Sequence, residues 1–118
     1  MNKEELRIAW IEALESGKYE QGRIYLNDNG KFCCLGVLCD ILVKNNMLDI
    51  TSTTGGVTTY SNAACVLPHK IVKLIGLYSD TGELAKNKFV NSLVTLNDTH
   101  KMNFKGIAAA LKTGDYWD

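Results

Sequence analysis

Two adjacent thiols, Cys33 and Cys34, stand where an extended segment feeds an apolar run. A cysteine at a helix N-terminus has its thiolate favoured by the backbone dipole, and the thiolate is the nucleophile. With His69 or His100 as base, the chain would hold the parts of a cysteine-dependent enzyme. The competing assignment is packing. Cysteine is among the most buried residue types, and these two are followed by Leu35, Val37 and Leu38, with no Cys-Gly or Gln-anchored protease signature around them. Packing is the reading adopted, which makes the expected protein a binder and not an enzyme.

Other constellations reduce further. A structural zinc site needs three or four Cys or His ligands, usually with a Cys-x-x-Cys knuckle, and none is written here. Cys34 and Cys39 would point about 140° apart on one helix at about 100° per residue, so no chelating pair forms. Gly55-Gly56 stands alone, without the spacing of a phosphate cradle or dinucleotide fingerprint. No metal and no cofactor is expected. What remains is a polar and aromatic set: Lys18, Tyr19, Gln21, Arg23 and Tyr25, with Tyr60 on a later strand and Asn97-Asp98 as a second polar locus. On a strand, Arg23 and Tyr25 would share one face and Ile24 and Leu26 the other. Such a face can stack a base and clamp a phosphate through arginine; the plainer alternative is an ordinary solvated sheet face.

The elements that must carry these residues follow from periodicity and caps. Asn2 with Glu5 forms a capping box, and Leu6, Trp10, Ala13 and Leu14 repeat at helical spacing until Gly17, predicting a helix over residues 3–16 whose apolar face Ile8 and Ile11 widen. Residues 22–26 and 31–33 flank Asn29-Gly30, a strong hairpin turn signal. Residues 34–43 are apolar on nearly every side and predict a buried central helix ending at Asn45-Asn46. Residues 48–64 are rich in Thr, Ser and Gly and predict two short strands around a loop at 52–56. Pro68 opens a short helix with Ile71, Val72 and Ile75 inward and Gly76 as its stop. Phe89, Val90, Leu93, Val94 and Leu96 recur at near-helical spacing, with strand as the rival for 90–96. Asn103 caps a last helix ended by Gly114, and Tyr116 and Trp117 dock after it.

The sum is one α+β domain over 1–118: a small antiparallel sheet, a hairpin plus short strands, packed on four to five helices. Its 118 residues suffice for one core, and 46% apolar with 22% charged is ordinary globular composition. Thirteen Lys and Arg balance thirteen Asp and Glu, so no bulk field draws the protein to nucleic acid or anionic lipid. A helix-turn-helix over 89–111 is disfavoured, because its second helix offers only Lys105 and Lys112 among glycine and alanines. No apolar run reaches membrane-spanning length and residues 1–5 lack a signal-peptide core, so the chain is expected to remain in the cytoplasm and Cys33, Cys34, Cys39 and Cys65 to stay reduced.

The strings WIEALESGKYEQG over 10–22 and CCLGVLCD over 33–40, with LP at 67–68, LIGL over 74–77, LND over 96–98 and NFKGIA over 103–108, cover most of the chain. In this pattern the sequence resembles a family of small proteins encoded by bacteriophages and prophages. The resemblance carries over no activity and no catalytic residues. It implies a phage accessory protein in the host cytoplasm that neutralises a host defence factor by binding it. The set Tyr19, Gln21, Arg23, Tyr25, Tyr60, Asn97 and Asp98 favours capture of a small nucleotide-derived signal; blocking of a host protein surface is the alternative. A homo-oligomer is compatible with either.

Overall fold

The computed structural model describes residues 1–85 and 92–118. Helix α1 (Lys3–Glu15) is followed by β1 (Glu20–Gln21), β2 (Asn27–Asp28), β3 (Lys31–Phe32), α2 (Cys34–Lys44), β4 (Ile50–Thr54), β5 (Val57–Tyr60), α3 (His69–Ile75), α4 (Leu93–Asp98) and α5 (Phe104–Thr113). The α+β expectation holds: the described residues form five helices and a five-stranded sheet of order β1-β3-β2-β5-β4. Every neighbouring pair is antiparallel except β1 with β3, which is parallel.

The caps set the helix bounds. The Asn2 side chain accepts from the Glu5 amide while the Glu5 side chain accepts from the Asn2 amide, so two otherwise orphaned donors are satisfied. Gly76 leaves α3 in the left-handed region at φ 80°, and the Asn103 side chain caps α5 by accepting from the Gly106 amide. Helix α1 buries Leu6, Trp10 and Leu14 and packs on α2, α3 and α5. Ile8 does not widen that face: it is exposed. Helix α2 is the centre of the core, with every residue from Cys34 to Cys39 buried, as its apolar run predicts. Phe89 and Val90 lie outside the described residues; Leu93–Asp98 is helical, which decides between helix and strand for that part.

The sheet departs from expectation in one place that matters. Asn29 and Gly30, at φ 54° and 84°, do form the two-residue turn, but only Asn27–Asp28 and Lys31–Phe32 pair across it. Residues 22–26 are not a strand. The preceding strand β1 runs parallel to β3, so the chain must loop back over 22–26 before β2 can enter antiparallel. The second hairpin is longer than expected, because Gly55-Gly56 alone forms the turn and residues 52–54 belong to β4.

The C-terminal residues dock. Trp117 bridges to Leu77, its ring meets Trp10 edge-on at 6.1 Å, and the Arg7 guanidinium lies 4.3 Å over its face. Arg7 also donates through Nε to the Ile75 carbonyl at 2.9 Å, at the C-terminal end of α3 where a cation is favoured. No helix among the described residues is long and apolar enough to cross a membrane.

Candidate functional site

The loop over 22–26 carries an unusual backbone. The Tyr25 amide donates to the Arg23 carbonyl at 2.8 Å, and Ile24 between them has φ 73°. This is a γ-turn of the rare, strained kind, built on a β-branched residue that pays the full steric penalty of the left-handed side. Such strain, of order 1–3 kcal/mol, persists only where the surroundings hold it. They do so here. The Ile24 amide donates to Asp98 Oδ1 at 3.0 Å, the Leu26 amide donates to the Ala64 carbonyl, and the Leu26 side chain is buried. The Ile24 side chain points outward at 59% exposure, beside the exposed Arg23 and the half-buried Tyr25.

Asn97 is the peg beneath this loop. Fully buried, its Oδ1 accepts from Gln21 Nε2 at 2.8 Å and from the Cys34 amide at 3.2 Å, while its Nδ2 donates to the Gly22 carbonyl at 3.0 Å and to Asp98 Oδ1 at 2.8 Å. Gln21 Nε2 donates also to the Met102 carbonyl at 2.9 Å. Helix α4 places Asn97 one turn after Leu93, on its inward face, and so joins β1, the loop and the start of α2 at one amide.

Tyr19 lies apart from this loop network, in a cleft of about 530 Å³ that also takes in Lys18, Glu20, Gly30, Phe32, Asp40 and Lys44. Its hydroxyl donates to Asp40 Oδ2 at 2.5 Å, its ring meets Phe32 edge-on at 5.2 Å, and Lys44 Nζ pairs with the same Asp40 oxygen at 2.9 Å. Burial first, then the Asp40 carboxylate, pushes the Tyr19 hydroxyl up to about 12, so it is a fixed donor at neutral pH and no base.

Of the residues chosen from sequence, Gln21, Asn97 and Asp98 are therefore brought together, but with their hydrogen bonds spent inside the protein. Tyr60 is corrected outright. It points into the core at 1% exposure and its hydroxyl accepts from Asn27 Nδ2, so it stacks on nothing outside. The shared face of Arg23 and Tyr25 does not exist, since no strand alternation runs through them. Lys18, Arg23 and Tyr25 remain at the surface. Asp40, Lys44 and Ile24 were not singled out. Asp40 and Lys44, four apart in an otherwise apolar helix, were a readable signal of a polar seam; nothing local marks an isoleucine for a left-handed turn.

Cys33, Cys34 and Cys39 are buried and Cys65 is exposed. Burial pushes the Cys33 thiol up to about 11 against the pull of the helix-start amides of Leu35 and Gly36, and it pushes Cys34 and Cys39 up as well. Among the described residues no group of three or more His, Cys, Asp or Glu is placed to hold a metal ion.

No curated protein matches this chain, and no solved structure does. Residues 1–115 match the family model described as Domain of unknown function (DUF8296), and the chain belongs to that family.

Proposed function

We propose that this is a phage-type accessory protein that works by binding, occupying the surface of a host factor and so neutralising it. The phage attribution rests on the resemblance of residues 10–22 and 33–40. The binding mode rests on one observation: Arg23, Ile24 and Tyr25 are presented together on a strained turn that Asp98 and Asn97 hold from behind. An exposed isoleucine at positive φ contributes nothing to the core, and glycine would hold the same turn without strain. Arginine and tyrosine are the residues enriched in interface hot spots, and here they flank an apolar tip. The cysteine-enzyme alternative draws no support from thiols that burial keeps protonated.

The test is recovery of a host protein by the immobilised chain, wild type against the Arg23→Glu, Ile24→Gly double variant. A single stoichiometric partner is expected for the wild type, with binding weakened by at least about 2 kcal/mol, roughly thirtyfold, in the variant. Ile24→Gly alone is expected to raise stability by about 1 kcal/mol as the turn relaxes. A partner held equally by both proteins, or no partner, overturns the proposal.

Capture of a small nucleotide-derived signal is the second reading, favoured by Lys18 and Lys44 beside the rings of Tyr19 and Phe32 in one cleft. It requires a thermal shift with a cyclic dinucleotide or an ADP-ribose derivative, near 2.7 kcal/mol at about a hundred times the dissociation constant, reduced by Lys18→Ala. No shift with either class of nucleotide removes it.

A further inference from the structure

The sheet ends in two edges of opposite character. At one, β1 is two residues long and carries Glu20, ion-paired to Lys31 of the neighbouring strand at 3.8 Å. At the other, β4 runs for five residues, Ile50–Thr54, all of them exposed. It holds no charge and no proline, and the chain contains no Asp, Glu, Lys or Arg at all between Asp49 and Lys70. Native sheets guard their edges by shortness, charge, proline or bulges. Edge β1 has the first two. Edge β4 has a register shift between Ile50 and Ser52, which bends only that end and leaves residues 52–54 regular.

The ladder fixes which backbone groups are free. Gly55-Gly56 is a two-residue turn, so the flanking pair Thr54–Val57 exchanges both of its hydrogen bonds, and Ser52–Thr59 does so again two residues on. The N–H and C=O of Thr53 therefore point away from β5, outward from the sheet. The hydroxyls of Thr51 and Ser52 turn inward on their own hairpin, each 2.8 Å from Thr59 Oγ1, and do not cap that edge.

We infer that β4 pairs antiparallel with β4 of a second copy, about a twofold axis beside Thr53, joining two five-stranded sheets into one. A strand is the occupant because unpaired main-chain donors and acceptors in ladder geometry are what a strand satisfies. A second copy is the strand because antiparallel self-pairing is isologous by nature, so each edge meets its own image. For a charged edge that meeting is repulsive; here there is no charge to repel, and the whole chain is formally neutral. Three regular residues per edge bury much less than the roughly 800 Å² per partner of a standard interface, so the dimer is reversible and concentration-dependent.

Sedimentation equilibrium on the full chain, from micromolar to millimolar concentration, tests this. The wild type is expected to move from monomer towards dimer. Thr53→Lys sets like charges opposite each other across the axis, and Thr53→Pro removes the outward N–H while sparing the bonds to β5; each is expected to weaken the dimer at least tenfold with the circular dichroism unchanged. If the proline variant does not fold, the lysine variant decides. A wild type that stays monomeric throughout, or a dimer that survives the substitution, overturns the inference.

Discussion

Asn97 engages both ends of its amide in the interior, and no buried side-chain polar atom among the described residues lacks a partner. Removing it strands the buried Cys34 amide, an unmet group worth about 1–3 kcal/mol, and frees the part-buried Gly22 carbonyl and the Gln21 amide as well. Asn97→Ala is therefore expected to destabilise the protein by about 3 kcal/mol in urea unfolding, while an equivalent change at the exposed Arg23 shifts the midpoint little. The hydrogen-bonding capacity of Asn97 and Asp98 was legible in the sequence, but as a locus separate from Gln21, to which the structure joins them. Their direction was not. Asn97 follows Leu93 by four positions and shares its inward face once 93–98 is a helix, and with strand as the rival for 90–96 that face is not fixed by the sequence.

At the scale of elements, caps and turn residues carried most of the information. Asn2, Asn103, Gly76 and Asn29-Gly30 each end or turn the chain where a local steric or hydrogen-bonding argument puts them. The loop over 22–26 escaped because its shape is dictated from far away, by β1 lying parallel to β3 and by Asp98 reaching the Ile24 amide. A second long-range constraint is the contact of α2 with that loop. A Cβ on Gly36 would stand 1.7 Å from the Leu26 carbonyl oxygen, and the atom it meets is backbone. Gly36→Ala must push α2 away from that loop, and a loss above about 3 kcal/mol is expected, a large part of the stability of a domain this size. Wild-type stability in denaturant for that variant would show the helix has room that the geometry denies it.

For the molecule as a whole, the buried thiols tie stability to alkaline pH. Cys33 ionises near its ordinary 9.0 in the unfolded chain but only near about 11 when folded, and Tyr19 moves from 10.0 to about 12. Between those values the unfolded state has released protons that the folded state keeps, so stability is complete below about pH 9 and declines as pH rises through about 11. The urea midpoint is expected to fall steadily over that window, and less steeply for Cys33→Ala. A flat profile would mean that the thiol reaches solvent.

The contact of α1 with α5 and Trp117 sets the order in which the fold can close. Glu15 meets Lys112 across 97 residues of sequence, and Arg7 and Trp10 close on Trp117. Helix α1 thus finds part of its packing on α2 and α3 and the rest on residues about a hundred positions further along the sequence. Until those residues arrive the stripe of Leu6, Trp10 and Leu14 has only α2 and α3 to shelter against, and closing so long a loop is a slow, entropically opposed step. A chain cut before Phe104 is therefore expected to leave that stripe open and to bind a hydrophobic dye that the whole fold excludes.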